Sequence, residues 1–140
     1  MDLIRPALVA VVTWFLTSIL AGVVYGLSTM ATPVTTLAAH ILWVAALQLA
    51  VGLAAAGAAA LAHGRRWRGD PRRHAVAAFG PVAVLAVVLG VVDMLTGTAV
   101  PPAAVALVAQ LAGGALGWLL VSRVLRRTEW RSAPTRGVYF

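Results

Sequence analysis

Four apolar stretches dominate the sequence, and each is long enough to cross a lipid bilayer. They cover about residues 6–29, 37–62, 74–95 and 102–124. An α-helix rises about 1.5 Å per residue, so roughly 20 residues span the ~30 Å hydrocarbon core. Hydrophobic residues make up 61% of the chain and charged residues 11%, a balance that a small soluble domain could not bury. The sequence therefore predicts an all-α membrane protein with four transmembrane helices.

The connections between these stretches carry turn and helix-start signals. Thr35 or Thr36 fits the N-cap of the second helix, and Asp70 followed by Pro71 fits the start of the third. The first stretch is longer than the roughly 7–15 apolar residues at the centre of a signal peptide. We therefore expect it to be a retained helix.

The eleven basic residues are all arginines, and their distribution predicts the orientation of the chain. Arg5 precedes the first stretch, a basic loop at 63–73 follows the second, and a tail at 125–140 follows the fourth. With four spans these groups fall on one side, so the positive-inside rule predicts that the loop and both termini are cytoplasmic. The expected architecture is a single domain, residues 1–140, of two helical hairpins, N-in and C-in.

The same arginines bear on partners and location. They lie at the ends of apolar runs, which favours contact with anionic lipid on the cytoplasmic side over nucleic-acid binding. The high Ala, Val, Gly and Arg content is typical of a GC-rich bacterial genome, so we expect a bacterial inner membrane. The predicted lipid contacts are Arg65, Arg66, Arg68, Arg72, Arg73, Arg126 and Arg127.

Asp93 is the one acidic residue inside an apolar stretch, and an ionisable group there is a candidate functional site. It lies near the predicted outer end of the third span, and His40 lies at the corresponding end of the second. A His–Asp pair would form a possible ion or proton site. The alternative is that both are hydrated interfacial residues, with Asp93 capping the following turn.

Gln48 and Gln110 are the polar residues placed deepest in the apolar stretches. Each predicts either a hydrogen bond between helices or a polar lining for a pathway. Each also opens a similar segment, 48–52 and 110–114, which suggests an internal duplication with parallel halves. Chance matches in Ala- and Leu-rich sequence are the alternative.

Small residues at four-residue spacing predict close helix packing, either within the chain or against a partner. The motif is common in a chain this rich in Gly and Ala, so it does not identify the partner. The candidate packing positions are Gly22, Gly26, Gly52, Gly113 and Gly117.

No sequence motif for catalysis, metal binding or a cofactor is present. The chain has no Cys, and it has no nucleotide-binding glycine loop and no nucleophile motif. His63, Asp70 and His74 have no metal-ligand spacing, and nearby arginines disfavour a cation. We therefore expect no enzyme activity, no metal and no cofactor.

These observations favour a non-catalytic integral subunit or accessory protein of a larger bacterial membrane complex. The expected partners are the bilayer and either other membrane subunits or further copies of the chain. The alternative function is a homo-oligomeric small channel or proton-coupled transporter that uses Asp93 and His40.

Overall fold

Four α-helices make up nearly all of residues 3–63, 70–97 and 100–132, which are the residues described by the computed structural model. All four are long and apolar enough to cross a membrane. The prediction of an all-helical chain with four helices of transmembrane length is confirmed. In chain order they are α1 (Ile4–Ala31), α2 (Leu37–Ala62), α3 (Pro71–Leu95) and α4 (Val100–Ser132).

Two of the helices begin at the side-chain caps that the sequence predicts. The Thr36 side chain accepts a hydrogen bond from the backbone N–H of Ala39 at 3.2 Å. Asp70 Oδ1 accepts from the N–H groups of Arg72 and Arg73, at 3.0 and 3.2 Å. These bonds satisfy donors that a helix start leaves without partners. α3 therefore begins at Pro71, as the Asp70–Pro71 signal predicts, three residues before the apolar span that starts at about 74.

α1 and α4 also exceed their predicted spans, whereas α2 matches its span of 37–62. α1 extends about two residues further at each end, and α4 continues to Ser132, eight residues beyond the predicted end at about 124. The residues after Val124 include Leu125 and two arginines, which are good helix formers, and no proline occurs before Pro134. The helix therefore continues past the apolar stretch through polar residues that still favour a helix.

The tightest contact in the described chain lies between α2 and α4, where glycines let the two backbones meet. We call this contact the α2–α4 seam. Glycine lacks a Cβ, so it allows an approach that any other residue would block. A Cβ built at three of these glycines would collide with a carbonyl oxygen of the facing helix. The colliding pairs would be Gly52 with Gln110, Gly113 with Leu49, and Gly117 with Leu53.

Contacts along the seam advance in the same direction on both helices. Leu49 faces Gly113, Leu53 faces Gly117, and Val121 lies 3.6 Å from a Cβ built at Gly57. α2 and α4 therefore run parallel. The segments 48–52 and 110–114, which resemble each other in sequence, are also the ones that meet across the seam. A duplication with parallel halves would place them in this way.

Side-chain size, rather than polarity, distinguishes the interior residues of this bundle from its surface residues. The buried apolar side chains are mostly alanines, with Pro6, Val51 and Val82 the larger exceptions among the described residues. The exposed large apolar residues are mainly Leu and Val, which suits a surface against lipid chains. Two alanine clusters form the core, one packed against Trp118 and the other against Trp14. Small side chains bring the helices close, and dispersion contacts then stabilise the bundle.

Candidate functional site

A groove between α1 and α2 is lined by four polar side chains of these two helices, Ser18, Tyr25, His40 and Gln48. Its volume is about 220 Å³. It begins near the connection between the two helices and extends to Gln48, which lies eleven residues into α2. At 1.5 Å per residue this is about 16 Å, or half the depth of a bilayer core. The lining residues are Ser18, Ala21, Gly22, Tyr25, His40, Val44, Leu47 and Gln48.

Tyr25 and His40 form the polar pair at the end of the groove nearest the connection. The Tyr25 hydroxyl lies 2.7 Å from His40 Nδ1, which is a hydrogen bond. The rings meet edge to face, with centroids 5.8 Å apart and planes at 77°. We assign the tautomer in which the phenol donates to Nδ1, so that Nε2 carries the ring hydrogen. The pair links α1 to α2 and leaves His40 one further hydrogen-bonding atom.

Ser18 and Gln48 supply the polar groups at the deeper end. The Ser18 hydroxyl oxygen has almost no exposed surface, and no group within the described residues hydrogen-bonds to it. A buried hydroxyl without a partner costs about 1–3 kcal/mol. The groove thus has hydrogen-bonding capacity at two depths, and part of that capacity is unused.

Asp93 is not paired with His40 in the described part of the chain. It lies two residues before the end of α3 and is half-buried. Its backbone oxygen accepts a hydrogen bond from Thr96 Oγ1 at 3.2 Å. His40 bonds to Tyr25 instead. His40 and Asp93, the two residues of the predicted ion site, therefore have different hydrogen-bond partners. A role for Asp93 stays a prediction.

Gln48 and Gln110 occupy different environments although their sequence positions correspond. Gln48 lines the groove. Gln110 is only 4% exposed, and its backbone oxygen faces Gly52 in the α2–α4 seam. Its side-chain Nε2 has no hydrogen-bond partner among the described residues. The polar-lining alternative therefore has geometric support at Gln48 and none at Gln110.

The predicted packing glycines fall into two groups. Gly52, Gly113 and Gly117 lie in the seam, where a Cβ would meet backbone atoms of the facing helix. A Cβ at Gly22 or Gly26 would meet nothing within 4 Å. The glycines of the first group let two helices of this chain pack closely. The two α1 glycines leave open space beside α1, and at Gly22 this space is part of the groove.

Two buried histidines mark the opposite end of the bundle. His63 caps the end of α2 and is 1% exposed, and His74 in the first turn of α3 is 6% exposed. Their ring centroids lie 5.3 Å apart with planes tilted by 49°. Asp70 is engaged in capping α3, and its Oδ2 lies 3.5 Å from Arg73 Nε. No group of three or more metal-ligating residues is found in the described ranges.

The lipid-contact arginines lie only partly within the described structure. Arg72 and Arg73 are exposed at the start of α3, and Arg126 and Arg127 are exposed in the last two turns of α4. Cations near a helix C-terminus also interact favourably with the helix dipole. Arg65, Arg66 and Arg68, in the predicted basic loop, lie outside the described residues.

Sequence reasoning missed Tyr25 and Ser18 as site residues. Both lie in an apolar stretch, where Tyr is usually interpreted as an interfacial anchor and Ser as a small residue that a transmembrane helix tolerates. A usable signal was present, since Tyr25 and His40 both lie within two turns of the short connection 32–36. Helices joined by so short a connection bring such positions together.

Comparison with protein-family models, with curated proteins and with solved structures finds no match to this chain. The functional conclusion therefore depends on the residues and geometry described above.

Proposed function

We propose that this protein is a non-catalytic integral subunit of a larger membrane complex. The observation that carries the proposal is the α2–α4 seam. Backbone atoms of the two helices meet there at Gly52, Gly113 and Gly117, so this part of the bundle holds no space for a pathway. A single copy whose centre is closed in this way is suited to act through lateral contacts with other subunits.

The position of α1 supports the same proposal. α1 packs along α2 and, less extensively, along α3, and its only buried residues are Pro6 and Ala10. Gly22 and Gly26 leave its surface open where a Cβ would meet nothing. α1 therefore presents a long surface to the membrane, where either lipid or a helix of another subunit could pack.

The proposed topology is two helical hairpins with both termini cytoplasmic, in a bacterial inner membrane. It is supported by the uncharged connection at 32–36 and by the arginines at the start of α3 and the end of α4. Anionic lipid on that side would add about 1 kcal/mol per arginine near the surface. Reporter fusions at residue 34 and at the C-terminus test the orientation. An external C-terminus would contradict it.

The subunit proposal is tested by extraction of the tagged protein from its native membrane in a polymer nanodisc, without detergent. Native mass spectrometry then gives the mass of the intact particle. We expect one or more different chains at fixed stoichiometry. A particle that contains a single copy of this chain and only lipid would refute the proposal.

A homo-oligomeric channel or proton-coupled transporter is the second candidate, and the groove is the observation that favours it. The Tyr25–His40 pair and Gln48 place hydrogen-bonding groups from the start of α2 to mid-membrane depth. If this function holds, the purified protein conducts protons in liposomes and His40→Asn lowers the flux at least about tenfold. Asp93→Asn tests the other predicted residue in the same assay. Absence of flux from the purified protein would exclude this candidate.

A further inference from the structure

We infer that the α1–α2 groove is a one-sided water vestibule, open to the aqueous phase at the connection 32–36 and closed near mid-membrane depth. The inference begins with the groove's polar side chains. Ser18, Tyr25, His40 and Gln48 lie at two levels, seven or eight residues apart along their helices, which is about 11 Å. Polar side chains in transmembrane helices face either other polar groups or water-filled cavities, because lipid chains offer no hydrogen bonds.

Water satisfies both levels of the groove, whereas a lipid chain satisfies neither. The volume of about 220 Å³ corresponds to roughly seven waters at about 30 Å³ each. Buried water is favoured where it has two to four polar partners. His40 uses only one ring nitrogen on Tyr25, and the Gln48 side chain lines the deep end of the groove. A short chain of waters from His40 to Gln48 would satisfy these groups.

The deep end of the groove is closed by the core of the bundle. Trp14 lies one turn from Ser18 on α1 and packs against the cluster of Ala55, Ala56 and Val82. These three cluster residues are 0% exposed. Water that reaches Gln48 therefore meets a packed apolar layer. The vestibule brings water to the middle of the membrane from one side without connecting the two sides.

In the other half of the chain, α3 and α4 are in contact at Gly90. Gly90 of α3 faces Leu107 of α4, whose side-chain atoms would lie 3.8–4.0 Å from a Cβ at residue 90. Gln110, the counterpart of Gln48, is buried in the seam instead of lining a groove. The two halves of the chain therefore differ at the position of this glutamine.

The absence of native Cys allows a direct test with single-cysteine variants of the full chain in liposomes. Only a thiolate reacts with a charged methanethiosulfonate reagent, and a thiol in lipid does not ionise. Gly22→Cys places the thiol in the groove without a clash. Val23→Cys, at the neighbouring exposed apolar position, is the matched lipid-facing control. Thr35→Cys in the connection identifies the side from which the reagent must be added.

We expect Gly22→Cys to react at least about tenfold faster than Val23→Cys when the reagent is on the side where Thr35→Cys reacts. Similar rates at the two positions would overturn the inference. If both are slow, lipid fills the groove; if both are fast, α1 is not embedded as described.

A second set of variants tests the depth of the vestibule. Leu47→Cys reports on the deep end, next to Gln48. Adding Gly22→Leu should fill the groove and slow the Leu47→Cys reaction at least about tenfold, since water access is lost. Adding Gly26→Leu, which also meets open space but does not line the groove, should leave the rate unchanged. Equal effects of the two leucines would overturn the inference.

Discussion

The α2–α4 seam makes a quantitative prediction about two glycines on one helix. Gly52→Ala adds a methyl group that would collide with the Gln110 carbonyl oxygen and lie 2.9 Å from the backbone nitrogen of Gly114. Gly57→Ala adds the same group five residues further along α2, where its nearest neighbour is a Val121 methyl at 3.6 Å. That distance is an ordinary van der Waals contact. The pair therefore separates the effect of a clash from the general effect of replacing glycine.

The expected magnitudes follow from two opposing terms. Replacing glycine by alanine inside a helix gains about 1 kcal/mol of helix propensity. At Gly52 the two backbones must also move apart by about 1 Å, which forfeits roughly a quarter to a half of each seam contact's dispersion energy. Overpacking of this kind costs about 1–3 kcal/mol. We expect Gly52→Ala to lower the free energy of unfolding by about 1–2 kcal/mol, and Gly57→Ala to leave it unchanged or raise it by up to about 1 kcal/mol.

The assay is reversible unfolding of the purified protein in mixed micelles with increasing dodecyl sulfate. Tryptophan fluorescence reports on it, because Trp14 and Trp118 pack against the two alanine clusters. Circular dichroism confirms that both variants retain their helices. If Gly52→Ala proves as stable as Gly57→Ala, the backbones do not meet at the seam and the reasoning fails.

Three further substitutions follow from single contacts and use the same titration. Tyr25→Phe removes the hydrogen bond to His40 and should cost about 0.5–1.5 kcal/mol; the loss should vanish in a His40→Leu background, and a full loss there would contradict the assigned bond. Asp70→Ala removes two N-cap bonds to the start of α3 and should cost about 1 kcal/mol, whereas Asp70→Asn, which still accepts them, should cost less. Gln110→Leu should be neutral or stabilising, because Nε2 of the buried amide has no hydrogen-bond partner among the described residues; a loss above about 2 kcal/mol would show that the amide is bonded after all.

The four helices were predictable because a transmembrane helix is one run of consecutive apolar residues, whose length can be counted directly in the sequence. The starts of α2 and α3 were predictable for the same reason, since Thr36 and Asp70 act on backbone groups two or three residues away. The ends were less predictable, because α4 continues beyond its apolar stretch wherever the residues still favour a helix.

The groove was not predictable, because its residues come from two helices whose facing sides carry no polarity signal. In water, an apolar stripe marks the buried face of a helix. In this bundle both faces are apolar, and the difference is between Ala or Gly inside and Leu or Val outside. The pairing of Tyr25 with His40 depends on helix rotation, which sequence periodicity does not define when both faces are hydrophobic. Glycine spacing did mark the seam, but it did not distinguish Gly52 from Gly22.

The seam also sets a time order for the maturation of the chain. Leu53 and Gly117 meet across it although 64 residues separate them, from 53 to 117. At about 5–20 residues per second of synthesis, α2 must wait about 3–13 s after leaving the ribosome before its partner helix exists. During that interval the face around Gly52 has no seam partner. A chain that stops before α4 keeps that face exposed, and membrane proteases that survey unassembled helices would have their longest access to this protein at that stage.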